Sequence, residues 1–356
     1  MNNLTKLEYD KQFLRKELIF KDKLKKFTDN LECIKSPKYI NYRFRSEFSI
    51  ATKNNKLTYS MYKDSVRIFI SEHLISSKKI NLIMKDLISI INNSFHLNTK
   101  LFQVEFQDSR SGDFFITLIY HKELDIKWEK EANILSTNFG VSIIGRSKNQ
   151  KIVIGNDFVI EDYKTKNNQF SIKLFEQCFS QINPYICDHI LNWIENATSH
   201  KKDIVELHCG VGTFTILLSK LYSNVLATEN SRPSINGLIK NLKLNKITNV
   251  HCARLSGLET LEAINLSKQF RRLSNLKIND FLFETIFIDP PRQGLDSKTI
   301  KYLVNFKKII YVSCGFKSLV EDLDYLRSTH KVIKAAFFDQ FPFTNHLESV
   351  VILEKL

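Results

Sequence analysis

The sequence predicts an α/β chain in two parts: a C-terminal doubly wound, mostly parallel sheet, and before it an antiparallel α+β region. Three observations predict this. After about residue 170, short apolar runs alternate with helical spacings, the βαβ pattern of a parallel sheet. Between about 41 and 170, stretches alternating at period two are joined by short turns, as in a sheet with one solvated face. Ahead of both lies a charged opening segment with no apolar core. The 356 residues therefore divide into a helical segment 1–40, an α+β domain 41–170 and an α/β domain 171–356.

In chain order, residues 5–30 read as one charged, weakly amphipathic helix, with Pro37 beyond it. NYRFRSEFSI alternates apolar and polar residues as a half-buried strand does, and LTYSMYK and VRIFIS continue a meander. In SKKINLIMKDLISIINNSF the residues Ile80, Leu82, Ile83, Leu87, Ile90 and Ile91 share a helical face. LFQVEFQDS and DFFITLIYHK are strands around a turn at Ser111–Gly112. WEKEANILSTNF is a helix, and VSIIGRS, KIVIG and FVIED are short strands. The second pattern opens with the helix PYICDHILNWIEN. Strand KDIVELH, loop CGVGT and helix FTILLSKLY follow, then strand NVLATE and helix SINGLIKNLKLN. After a further strand and helix come the strands in TIFIDPP, KKIIYVSC and HLESVVILEKL.

Composition narrows the function. The formal net charge of +14 points to a nucleic-acid partner, although abundant Lys, Asn and Ile are also what an A+T-rich genome produces. The six cysteines, 33, 178, 187, 209, 252 and 314, form no C-x-x-C pair, so neither a metal or iron–sulfur framework nor a disulfide scaffold is expected. No stretch reaches the roughly 18 apolar residues of a membrane span. The charged N-terminus reads as neither secretion signal nor anchor, and cytoplasm is the expected location.

Four stretches carry chemistry. VELHCGVGTF runs a strand into Gly210 and Gly212 before a helix, where glycines let the backbone approach a ligand closely. A third glycine at pyrophosphate spacing is missing. Glu229 ends the next strand about 20 residues on, where a carboxylate accepts hydrogen bonds from ribose hydroxyls. Together they favour an adenosine cofactor without pyrophosphate, S-adenosylmethionine rather than NAD. In TIFIDPPRQG the strand ends in Asp289–Pro290–Pro291, two prolines that stiffen the backbone and fix where the Asp points. Finally, Cys314 stands at the mouth of the strand KKIIYVSC, and Glu348 precedes the last strand; a thiolate and a carboxylate suggest nucleophile and general base.

These stretches resemble the RNA uracil-5-methyltransferase family, on its tRNA branch. The similarity extends over YRFRSEF (42–48), LFQVEF (101–106), LIYHKELD (118–125), CFSQINP (178–184) and DQFPFTNHLE (339–348). A related branch has a four-cysteine iron–sulfur cluster and an extra β-barrel; this chain has the motifs of neither. The resemblance implies a Rossmann-like class I methyltransferase domain behind an RNA-binding domain, and transfer of the methyl of S-adenosyl-L-methionine to C5 of a T-loop uridine in tRNA, with T-loop-like RNA such as tmRNA a further substrate, in a monomer without metal. It implies cofactor contacts at Gln181, His208, Thr213, Glu229 and Asp289, beside the loop glycines Gly210 and Gly212. Cys314 would be the nucleophile, Glu348 the proton acceptor and Phe102 an aromatic at the RNA. Arg43, Arg45 and Arg292 are RNA-contact candidates placed by charge. The family usually has Tyr at His208, Asn at Thr213, and Asn-Pro where this chain has Gly315–Phe316.

The chemistry accounts for these residue types. C5 of uracil is a poor nucleophile; a thiolate adding to C6 makes the ring an enolate whose C5 accepts a methyl group. A base must then take the C5 proton so that the thiolate can leave. With a free pKa of about 8.5, a cysteine is a few per cent thiolate at neutral pH. Aromatics such as Phe102 would stack in an opened loop, and the target base would be flipped out. Other readings stay open at this point: a base N-methyltransferase, disfavoured by Arg292 after the prolines; an NAD oxidoreductase, disfavoured by the missing glycine; and a non-catalytic RNA chaperone that keeps the fold only for tRNA binding.

Overall fold

The computed structural model describes residues 4–63, 65–198 and 202–356; Met1–Asn3, the start of the segment 1–40, lie outside the described residues. Two compact units form. One holds the chain up to Tyr39, Tyr163–Ile172 and Gln177–Leu356; the other holds Ile40–Asp162 and Lys173–Glu176.

Helix α1 (Lys6–Leu24) opens on a capping box: the Thr5 hydroxyl accepts the Glu8 N–H, and the Glu8 carboxylate accepts the Thr5 N–H. It ends at Leu24 rather than continuing to 30, because the chain turns into strand β1 (Leu31–Ile34). That strand pairs in parallel with one near the C-terminus, Leu31 facing Ala335. A strand whose partner lies so far along the chain leaves no local signature.

The second unit contains β2 (Arg45–Lys53), β3 (Lys56–Lys63), β4 (Val66–Ile70), α2 (Lys78–Asn92), α3 (Phe95–Asn98), β5 (Leu101–Asp108), β6 (Phe114–Tyr120), α4 (Ile126–Phe139), β7 (Ser142–Ser147) and β8 (Gln150–Ile154). Its sheet runs β4-β3-β2-β5-β6-β7-β8. Asn54 and Asn55 both take positive φ in the two-residue turn between β2 and β3, as tight hairpins require. Within this otherwise antiparallel sheet β6 and β7 run parallel, because α4 carries the chain back across the face before β7 starts. Phe48, Tyr59, Phe106, Leu118 and Trp128 fill the core beneath α2 and α4.

A two-stranded ribbon follows, β9 (Phe158–Lys164) with β10 (Gln169–Phe175). Then come α5 (Pro184–Ala197), β11 (Asp203–Leu207), α6 (Thr213–Leu221), β12 (Val225–Thr228), α7 (Arg232–Leu244), β13 (Val250–Ala253), α8 (Gly257–Ile264), β14 (Phe283–Ile288), α9 (Thr299–Leu303), β15 (Lys308–Ser313), α10 (Phe316–Leu326), β16 (His330–Phe338) and β17 (Glu348–Lys355). The sheet order is β1-β16-β17-β15-β14-β11-β12-β13. Only β17 breaks the parallel run, lying antiparallel to both β15 and β16. The central strands β11 and β15 are buried along their whole length, and this is why IVEL and KIIYVS read as nearly continuous apolar runs. Among the described residues no helix is long and apolar enough to cross a membrane.

Gly145 on β7 is fixed by its neighbour. A Cβ built there would stand 2.2 Å from Cη2 of the fully buried Trp128. Gly145→Ala should therefore destabilise the second unit by about 1–3 kcal/mol, the usual effect of overpacking. Denaturant unfolding followed by Trp128 fluorescence measures this; an unchanged midpoint would mean that α4 can move away from the sheet without loss.

Candidate active site

The working residues of the larger unit collect at the ends of its central strands. After β11 the chain enters the left-handed region at His208 (φ 60°), Gly210 (55°) and Gly212 (97°) before α6 begins at Thr213. Gly212 is needed for space as well as conformation: a Cβ there would lie 2.5 Å from Leu238 Cδ1. Glu229, beyond β12, holds this loop. Its Oε2 accepts the Gly210 N–H at 3.2 Å and its Oε1 accepts the Ser231 N–H at 2.8 Å. The Asn241 amide donates to the Val211 carbonyl at 2.9 Å. The result is a concave backbone turn with a carboxylate at its rim. Burial pulls the His208 imidazole below its ordinary range, so the ring is neutral near pH 7.

Below the loop lies a group that sequence reasoning missed. Glu206, on β11, is 1 % exposed, with the Thr215 hydroxyl set against its carboxyl. Desolvation pushes its carboxyl up to about 8, opposed by the Thr215 hydroxyl and reinforced by Asp289 and Glu229. Burial likewise pushes Asp289, directly after β14, up to about 7. On an isolated strand VELH reads as apolar with one polar interruption; only the neighbouring strands bring Asp289 close enough to act on Glu206.

Cys314 and Glu348 meet through register. β15 and β17 are antiparallel, with Ser313 opposite Ser349, so the next residues outward are Cys314 and Glu348. Desolvation pushes the Cys314 thiol up to about 11, the Glu348 and Asp289 carboxylates adding to it, while Arg292, hydrogen-bonded to the thiol, pulls the other way. Far less of this thiol is therefore ionised at neutral pH than the free-cysteine value suggests. Glu348 is fully enclosed, and burial raises its carboxyl well above the ordinary range, with Asp289 raising it and Arg292 lowering it. Arg292, an RNA candidate by charge, thus stands against Cys314 and Glu348.

Within the pair Gly315–Phe316, the glycine is held by a steric constraint. A Cβ at Gly315 would lie 2.1 Å from the Arg292 carbonyl oxygen, so only glycine permits the nucleophile loop to press on the proline loop. The contact is pinned by Ser318, whose hydroxyl bonds to the Arg292 carbonyl at 3.1 Å and the Gly315 carbonyl at 2.8 Å. Gln181 joins the cluster through Gln340, whose amide donates to Gln181 Oε1 at 2.6 Å. Among the described residues no group of three or more His, Cys, Asp or Glu could hold a metal ion.

Phe102, Arg43 and Arg45 lie in the other unit. Phe102, on β5, is 44 % exposed, and its ring packs against His121 at 4.5 Å between centroids. Arg45 is engaged with Glu47 and Glu105, and the Arg43 guanidinium donates to the Arg45 carbonyl at 2.8 Å.

A mostly parallel βαβ sheet with a glycine turn after one central strand, an acidic residue closing the next, and reactive groups at the strand ends is the class I methyltransferase fold. The chain belongs to the tRNA (uracil-5-)-methyltransferase family, whose model matches residues 8–356. It is 41 % identical over 335 residues to a tRNA/tmRNA (uracil-C(5))-methyltransferase of Acinetobacter baumannii, covering 92 % of each chain. It is 39 % identical over 354 residues to the protein of that name in Teredinibacter turnerae, covering 98 % and 97 %. A crystal structure of Pyrococcus abyssi tRNA (uracil-54, C5)-methyltransferase with S-adenosyl-L-homocysteine shares the fold, with a TM-score of 0.74 at 20 % identity over 97 % of this chain and 83 % of that one.

Glu206 gives a signed pH prediction. Unfolded, it ionises near 4.5; folded, it keeps its proton to about 8. The native state then binds the proton more tightly, so the stabilisation is full below about 4.5 and is lost as pH rises through about 8. Glu206→Gln should raise Tm over the parent by more at pH 8 than at pH 5. Parallel Tm-against-pH curves for the two proteins would show that Glu206 is not proton-bound in the fold.

Proposed function

We propose that this chain transfers the methyl group of S-adenosyl-L-methionine to C5 of a T-loop uridine in tRNA, and in tmRNA, giving 5-methyluridine. The observation that carries the reading is the juxtaposition of Cys314 and Glu348 across the β15–β17 pair, beside Asp289.

The residues present fit such a cofactor. Gly210 and Gly212 provide a turn open to close approach, the Glu229 carboxylate suits ribose hydroxyls, and His208, Thr213, Gln181 and Asp289 complete its contacts. The Glu206 carboxyl beneath them, kept protonated up to about 8 by burial, gains its charge more readily beside a cationic ligand. When bound, the cofactor supplies a methyl group on a sulfonium, which C5 of the uracil accepts. The remaining work belongs to the protein. The Cys314 thiol first gives up its proton to solvent; the thiolate sulfur then bonds to C6, and the C5–C6 π pair shifts toward C5 and the O4 oxygen. Arg292 draws the thiol toward its ionised form. After methylation Glu348 takes the C5 proton, the electrons of that bond restore the C5–C6 double bond, and the C6–S bond breaks to return the thiolate. Glu348 does this in its ionised form, toward which Arg292 draws it, and burial then makes that carboxylate a stronger base than an exposed one. Phe102 stacks in the opened T-loop, Arg43 and Arg45 lie among the RNA-facing groups, and the charge of +14 supplies salt-sensitive backbone affinity. Residues 41–170 act as the RNA-binding domain and 171–356 as the methyltransferase domain, with 1–40 packed as a helical segment, in a cytoplasmic monomer that needs no metal.

Undermodified tRNA with methyl-labelled cofactor tests the reading. The expected product carries label at C5 of one T-loop uridine, and Cys314→Ala abolishes it. Label on an exocyclic nitrogen, or none with tRNA bound tightly, would favour an N-methyltransferase or an RNA chaperone instead. RNA containing 5-fluorouridine should trap a covalent adduct stable to denaturing gels, since fluorine cannot leave as a proton does.

A further inference from the structure

Helix α1 buries Tyr9, Phe13, Lys16, Phe20 and Leu24 along one face. Lys16 is the exception among rings and aliphatic chains, with its side chain 4 % exposed. A buried amine is tolerated only where close partners replace its water. Here Nζ donates to Asp339 Oδ1 at 2.8 Å and to the Phe341 carbonyl at 2.9 Å. One turn earlier, Gln12 grips the same segment by both ends of its amide. Its Nε2 donates to the Thr344 carbonyl at 2.5 Å, and its Oε1 accepts the Phe343 N–H at 2.7 Å. Phe343 has φ +61°, a conformation that a bulky side chain avoids unless its surroundings impose it.

The gripped segment, Asp339 to Leu347, joins β16 to β17. Gln340 near its start holds Gln181, and its amide side chain is 1 % exposed. At its far end stands Glu348. The four bonds from α1 therefore act on a stretch that sets both a cofactor-side amide and the base opposite Cys314.

We propose that Lys16, with Gln12, is a positioning residue for the methyl transfer: α1 fixes the 339–347 segment so that Glu348 faces Cys314 and Gln340 orients Gln181. This rests on the reaction proposed above. Its signature follows from the order of steps. Once C5 is methylated, only removal of the C5 proton lets the C6–S bond break. A displaced Glu348 slows that removal more than it slows the attack by sulfur, so the methylated protein–RNA adduct accumulates.

The test uses the full chain, undermodified tRNA and methyl-labelled cofactor. Lys16→Met should lower kcat about a hundredfold, the usual effect of displacing a catalytic group by about 1 Å. Label should collect in a denaturation-resistant protein–RNA band that the parent clears. Because Lys16→Met leaves the Asp339 carboxylate buried without its cation, the double variant Lys16→Met/Asp339→Leu is run beside it; removing both charges spares the fold. It should keep the parent's Tm and still accumulate labelled adduct. Parent-like turnover by a folded double variant would overturn the proposal. So would adduct and product falling together in proportion to folded protein, the behaviour of a merely structural pair. A parent that leaves no label at C5 would instead overturn the reaction itself, and the positioning role with it.

Discussion

The arrangement depends on one antiparallel strand, β17, in an otherwise parallel sheet. Were β17 parallel to β15, its first residue would lie at the opposite edge from Cys314. Because it runs the other way, the start of one strand meets the end of its neighbour, and Ser313 opposite Ser349 brings Cys314 and Glu348 together without any loop having to reach. A sheet edge is a stiff mount, since moving either residue along its strand would break consecutive ladder bonds and flip side chains to the wrong face. The large unit spends its regular structure on this geometry, and its loops then trim the details.

Charge is the second constraint. The carboxyls of Glu206, Asp289 and Glu348 are all raised by desolvation, and Arg292 is the cation beside both Cys314 and Glu348. Desolvation keeps these acids protonated at a pH where exposed ones would be charged. The thiol shares their fate. A site with several suppressed negative groups close to neutrality is one whose ionisation follows what enters it.

Much of this was legible in the sequence, for identifiable reasons. Gly210 and Gly212 announce themselves because only glycine takes such backbone cheaply, and Asp289–Pro290–Pro291 because two prolines leave the chain few choices. The period-two runs around Phe48 and Phe106 gave their strands away through one buried face. What escaped was non-local. β1 is invisible without β16, and the parallel step from β6 to β7 depends on where α4 lands. The 2.1 Å conflict between a side chain at 315 and the Arg292 carbonyl exists only once two loops meet. Lys16 looked like one more charge on a charged helix, since burial of its amine is decided by Asp339, far along the chain. The ordinary thiol pKa was the natural expectation for Cys314 until its carboxylate neighbours were located.

The pairing of β1 with β16 also dictates an order of events during synthesis. Leu31 emerges from the ribosome roughly 300 residues before its ladder partner Ala335. At about 5–20 residues per second, the intervening roughly 300 residues take on the order of 15–60 s. Meanwhile the intervening unit can complete its own core, whereas Phe13, Phe20 and Leu24 have no finished sheet to cover them. Until β16 and β17 appear, the nascent chain thus carries an unsatisfied strand edge and an apolar helix face, the kinds of surface that invite aggregation.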